Sequence, residues 1–81
     1  MNRDKLLQKI RSGTADTNIP FRATCNLLKR LGFNERIRGS HHIFTYPGIP
    51  KLLDLQPQAG KVKPYQVKQI RTYLRCHSIG G

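Results

Sequence analysis

Acidic residues are scarce in this chain: four Asp and Glu stand against fifteen Lys and Arg, a formal charge of +11. A folded domain carries that excess only at some cost in self-repulsion, which points to a polyanionic partner. Each cation that neutralises a phosphate releases condensed counterions, so nucleic acid is the partner expected first. Tryptophan is absent, whereas a helix that binds a membrane surface wants bulky aromatics on its apolar face, so a lipid surface ranks well behind. Long apolar runs are missing too, and nothing approaches the roughly twenty residues needed to span a bilayer. The opening MNRDKLLQKIR lacks the apolar run of a secretory signal, so a cytoplasmic protein with reduced thiols is expected. Cysteine is limited to Cys25 and Cys76, and the three histidines form no metal-binding spacing with them. Neither a metal nor a cofactor is therefore expected.

What is present is 81 residues, enough for one core and little else. Leu6, Leu7 and Ile10 fall at helical spacing within residues 4–11, and Gly13 with the polar run to Asn18 breaks the pattern. These features give residues 1–18 as a helical extension with a linker. Ile19-Pro20 opens a second helix, with Phe21, Cys25, Leu28 and Leu31 on one stripe and Gly32 where a C-terminal cap wants positive φ. The period then changes to two over residues 33–38, Gly39-Ser40 makes a tight turn, and residues 41–46 return as a second strand. Pro47 to Pro50 reads as a turn, residues 51–56 as a third strand, and residues 57–60 as its end. Pro64 starts a last helix with Val67, Ile70 and Leu74 as its apolar stripe and Lys68, Arg71 and Arg75 as ordinary solvated cations. Residues 19–78 then form the main domain and residues 79–81 a frayed tail.

The expected fold class is α+β: helix, strand, strand, strand, helix, with an extra short N-terminal helix and a three-stranded antiparallel sheet covered by helices on one face. That order resembles the double-stranded-RNA-binding domain, which reads RNA through shape and phosphates.

The segment Leu28-Lys29-Arg30-Leu31-Gly32-Phe33, followed by Arg36, Arg38 and Gly39-Ser40-His41-His42-Ile43-Phe44, resembles the signature of HicA-type mRNA interferase toxins. Gly60-Lys61-Val62-Lys63 and the start of the last helix are similar to that family's later motif. The linked set is specific where the Gly-Ser-His tripeptide alone is not. The resemblance implies metal-independent cleavage of mRNA, one essential histidine at the position of His41, and inhibition by a HicB-type antitoxin protein. One departure stands out: Gln56-Pro57-Gln58 occupies the place where members often carry a histidine before the Gly-Lys pair.

His41 also has a chemical argument of its own. RNA carries its nucleophile in the 2′-OH and needs mainly deprotonation and charge stabilisation, and an imidazole with a pKa of about 6.5 suits the first task. Arg36 and Arg38 precede the turn on one side of their strand and are candidates for neutralising the phosphate. Ser40 in the turn and Lys61 and Lys63 in the later loop complete the expected RNA contacts. His42 points to the opposite face beside Phe44 and is expected to be structural. Tyr46, Tyr65 and Tyr73 offer rings able to stack on bases, but at helix and turn positions an aromatic is more often core, so none of them is singled out for RNA. Two other readings share the charge and the fold: an RNA-binding module without catalysis, and an adaptor that docks an acidic protein. The Gly-Ser-His hairpin favours the enzyme.

Overall fold

The computed structural model describes residues 3–80 as α1 (Arg3–Ser12), α2 (Phe21–Arg30), β1 (Asn34–Arg38), β2 (His41–Tyr46), β3 (Ile49–Leu55), β4 (Pro57–Gln58), β5 (Lys61–Val62) and α3 (Pro64–Cys76). This is the expected α+β, double-stranded-RNA-binding-like architecture, with three helices and a three-stranded antiparallel sheet in the order β1-β2-β3. No helix among the described residues is long and apolar enough to cross a membrane.

α2 begins after Pro20 and buries Phe21, Thr24, Cys25, Leu27 and Leu28, while the Thr24 hydroxyl donates to the Pro20 carbonyl at 2.6 Å. It stops where glycine permits. Gly32 takes φ +109°, its N–H donates to Lys29 O, and the Phe33 N–H reaches back to Leu28 O at 3.0 Å. This pair of bonds satisfies two orphan carbonyls of the last turn and aims the chain into β1. A β-carbon at Gly32 would also lie 3.3 Å from the Tyr46 ring, so the position is doubly restricted.

Cross-strand pairs set the two faces of the sheet. Glu35, Phe44 and Leu53 are opposite one another, as are Ile37, His42 and Leu55. Phe44 and Leu55 are fully buried against α2 and α3. Alternation sends Arg36, Arg38, His41, Ile43 and Asp54 to the other face, which none of the described helices covers.

Several expectations need correction. The third strand starts at Ile49 rather than residue 51, because Pro47-Gly48 alone makes the turn and Tyr46 already pairs with Ile49. Residues 57–60 do not simply end that strand. Pro57 and Gln58 pair with Val62 and Lys61 across Ala59-Gly60, both at positive φ, the geometry a two-residue hairpin needs. This small sheet is tied to α2 by Phe21 N–H to Gly60 O and Val62 N–H to Ile19 O, each 2.9 Å. Ile79 is not frayed: it is buried, and its N–H donates to Leu74 O at 2.9 Å around Ser78 at φ +51°. The rest of the expected tail includes Gly81, which lies outside the described residues. Arg71 is not a solvated cation either. Its guanidinium holds the Asp16 carboxylate at 3.0 and 3.1 Å and the Ile10 carbonyl at 3.0 Å, fastening the end of α1 to α3.

Candidate active site on the open face of the sheet

His41 is the first residue of β2, placed there by the Gly39-Ser40 turn, with Gly39 at φ +59°. Its side chain is about half exposed, on the face away from the core. Nδ1 lies 3.0 and 3.2 Å from the two Asp54 oxygens. On the other side of the ring, Nε2 lies 3.2 Å from Gln56 Nε2, which also reaches Ser40 Oγ at 3.2 Å. Lys63 Nζ donates to Gln56 Oε1 at 3.2 Å. A lysine has only donors, so it fixes which end of the Gln56 amide faces His41: the NH2 end. Gln56 therefore donates to a lone pair on Nε2, and Nδ1–H donates to Asp54. One tautomer satisfies every contact, and it leaves Nε2 as the basic nitrogen.

Gln66 holds this arrangement from beneath. It is one of two buried polar residues among those described, and both ends of its amide are used. Oε1 accepts from the Gln56 N–H at 3.2 Å and Nε2 donates to the Asp54 carbonyl at 3.3 Å. The backbone on both sides of Leu55 is thus pinned to α3, and with it the two side chains that touch His41.

The expected site residues divide by position. Ser40, His41 and Lys63 are brought together through Gln56. Arg38 is directly across the strand pair from His41, and Arg36 lies two residues along the same face. Lys61 is exposed on β5, in the separate two-stranded sheet. Asp54 and Gln66 are not among the site residues expected from sequence, and Gln56 enters there only within the segment that departs from the family pattern. Asp54 carries a faint signal, since Leu53 and Leu55 read as core positions and alternation puts Asp54 on the face of His41. Of the segment Gln56-Pro57-Gln58, it is Gln56 that reaches the imidazole.

His42 has a different environment. Its Nδ1 is 2.9 Å from Glu35 Oε2, its ring sits edge-on to Phe21 at 4.8 Å, and Glu35 also pairs with Lys29 at 3.3 Å. The hydrogen bond from His42 is the chief reason the Glu35 carboxyl is held below its usual range. Cys25, Glu35 and His42 have ligand atoms within 4.8 Å of one another, the one such trio of His, Cys, Asp or Glu among the described residues. The Lys29 ammonium already neutralises that carboxylate, and burial together with Glu35 pushes the Cys25 thiol up to about 11. At pH 8 only about one Cys25 in a thousand is then a thiolate. Alkylation of the folded protein is accordingly expected to modify exposed Cys76 alone, with Cys25 reacting only after denaturation. Mass spectrometry counting two fast-reacting thiols would contradict this environment.

The family model described as "HicA toxin of bacterial toxin-antitoxin" matches residues 21–76, from the start of α2 to the end of α3. The chain belongs to the HicA toxin family. As a HicA-family member it is the toxin of a toxin–antitoxin pair, with an antitoxin as partner. No curated protein and no solved structure matches the chain significantly. The matched stretch contains His41, Asp54, Gln56, Lys63 and Gln66, whereas α1 and Ile79 lie outside it.

Proposed function

We propose that this toxin is a metal-independent endoribonuclease that cuts mRNA with His41 as its base, and that a HicB-type antitoxin silences it by covering that residue. The observation that carries the reading is the His41–Asp54 pair, an imidazole in a defined tautomer on an open, basic face. Asp54 accepts from Nδ1–H and supports the imidazolium that forms, and Nε2 takes the proton of the RNA 2′-OH. The 2′-oxygen attacks the adjacent phosphorus as the P–O5′ bond breaks, the 5′-oxygen takes a proton from solvent water while His41 returns its own to solvent, and the products are a 2′,3′-cyclic phosphate and a 5′-hydroxyl. A nucleophile carried by the substrate needs no metal-bound water.

Substrate has to displace Gln56 from Nε2. The amide then remains as a donor beside the phosphate, with Ser40, Arg38, Arg36 and Lys63 around it to bind phosphate oxygens as charge builds. Lys61 is assigned to phosphate contact farther along the strand of RNA. The net charge of +11 also speeds capture by an acidic antitoxin.

The test is cleavage of an end-labelled RNA by the purified toxin in excess EDTA, with the ends mapped chemically. Cyclic phosphate ends and undiminished rate are expected; loss of activity with chelator would overturn the mechanism. Asp54→Asn is expected to slow cutting about ten- to a hundredfold, less than the 10²–10⁴ that a general base itself contributes, because this pair is half exposed to solvent. An unchanged rate would remove Asp54 from the mechanism.

A further inference from the structure

A groove of about 650 Å³ runs from His41 along the outer edge of β3, walled on its other side by α3. That size is in the range of sites that take an organic ring. α3 turns one stripe toward it, Tyr65, Gln69, Thr72 and Cys76 at i, i+4, i+7 and i+11, while the opposite stripe is core. Lys51 and Leu52 line it from β3, and Lys68 lies on the same rim. Tyr65 is 58% exposed and has neither a hydrogen-bond partner nor a ring partner among the described residues. It sits in the first turn of α3, where its ring contributes nothing to the core.

The outer edge of β3 would ordinarily invite a peptide strand. Here α3 has occupied two of its carbonyls and the N–H that follows it. The Tyr73 hydroxyl donates to Lys51 O at 2.7 Å, and Gln66 takes Asp54 O and the Gln56 N–H. Strand addition is therefore obstructed. What the groove leaves available beside His41 is the unpartnered Tyr65 ring, two lysines and an opening onto the imidazole, with His77, its ring against Tyr73, at the far end. A flat ring attached to a phosphate chain matches all three.

We propose that this groove is a base-binding subsite in which Tyr65 stacks on an unpaired nucleobase of the RNA strand cut at His41, with Lys51 and Lys68 holding the flanking phosphates. The proposal rests on the ribonuclease reading for the phosphate's position at His41, and it adds that the strand is single at that point. A base in a duplex stacks on its neighbours and has no free face for Tyr65, so a fold shared with duplex-binding domains is here used on one strand.

The experiment measures binding rather than cutting, on the non-cleaving His41→Ala chain, by fluorescence anisotropy with a labelled ten-nucleotide single strand and with a hairpin of equal phosphate number. The single strand is expected to bind at least about tenfold more tightly. Tyr65→Ala should weaken it about tenfold or more, Tyr65→Phe should restore it, and the hairpin should be indifferent to both, since stacking on one aromatic accounts for changes of that order. Lys51→Gln and Lys68→Gln should each lower the slope of log affinity against log salt by about 0.7. Equal binding of strand and hairpin, no RNA binding at all, or no effect of Tyr65→Ala would overturn the subsite. So would a Tyr65→Ala chain that keeps its RNA affinity and loses its antitoxin, since that outcome assigns the groove to protein. If Tyr65-dependent binding holds while the wild-type toxin cuts nothing, the subsite stands and the ribonuclease reading falls.

Discussion

His41→Ala is expected to abolish RNA cleavage and, when expressed alone, toxicity, with a melting temperature within about 2–4 °C of the wild type. The imidazole is half exposed and its partners Asp54 and Gln56 remain solvated without it, so the stability change should stay within the ±0.5 kcal/mol or so typical of surface substitutions. His42→Ala should do the opposite. It strips a hydrogen-bond donor from the largely buried Glu35 and an edge contact from Phe21, a loss of about 1–3 kcal/mol and roughly 5–15 °C in melting temperature, while cutting persists at permissive temperature. Two neighbouring residues of identical chemistry thus separate activity from stability. A stable, inactive His42→Ala protein would show that the wrong histidine has been assigned to the reaction.

The second large effect is expected far from the site. Removing residues 1–12 deletes α1 and, with it, Leu6, Leu7 and Ile10, which are buried against α2 and α3. At about 1.5–3 kcal/mol for each apolar side chain, the loss is comparable to the whole stability of a small domain. The truncated chain should give no cooperative thermal transition, and Ile10→Ala alone should cost about 2–5 kcal/mol. Calorimetry decides the point. A truncated protein that melts cooperatively near the wild-type temperature would make α1 an appendage after all. The family match starts at residue 21, so this helix completes a core that the matched stretch leaves open.

The elements legible in the sequence were those whose signal is local. α2 announces both ends, Pro20 at the start and Gly32 at the stop, and α3 repeats its apolar residues over three turns. The Gly39-Ser40 turn fixes the β1–β2 register, and alternation along β2 then sends His41 and His42 to opposite faces. Two-residue strands have no period to read, so β4 and β5 were invisible. Asp54 and Gln66 were missed for another reason: their roles depend on the alignment of β2 with β3 and on how α3 lies against that strand, neither of which is a local property. Arg71 looked like any solvated cation because its partners, Ile10 and Asp16, are 61 and 55 residues away in the chain.

The bond from Arg11 Nη2 to the Ile79 carbonyl, at 3.2 Å, has a topological consequence. It holds the C-terminal turn beside the last turn of α1, and α1 rises about 1.5 Å per residue, so residue 3 begins only about 12 Å from that clasp. Residues 3 and 79 thus lie near each other on the helical side, with His41 on the opposite side of the sheet. A short linker from residue 79 to residue 3, with new termini cut at the Pro47-Gly48 turn, would give a circular permutant that keeps the buried core and the His41–Asp54 pair.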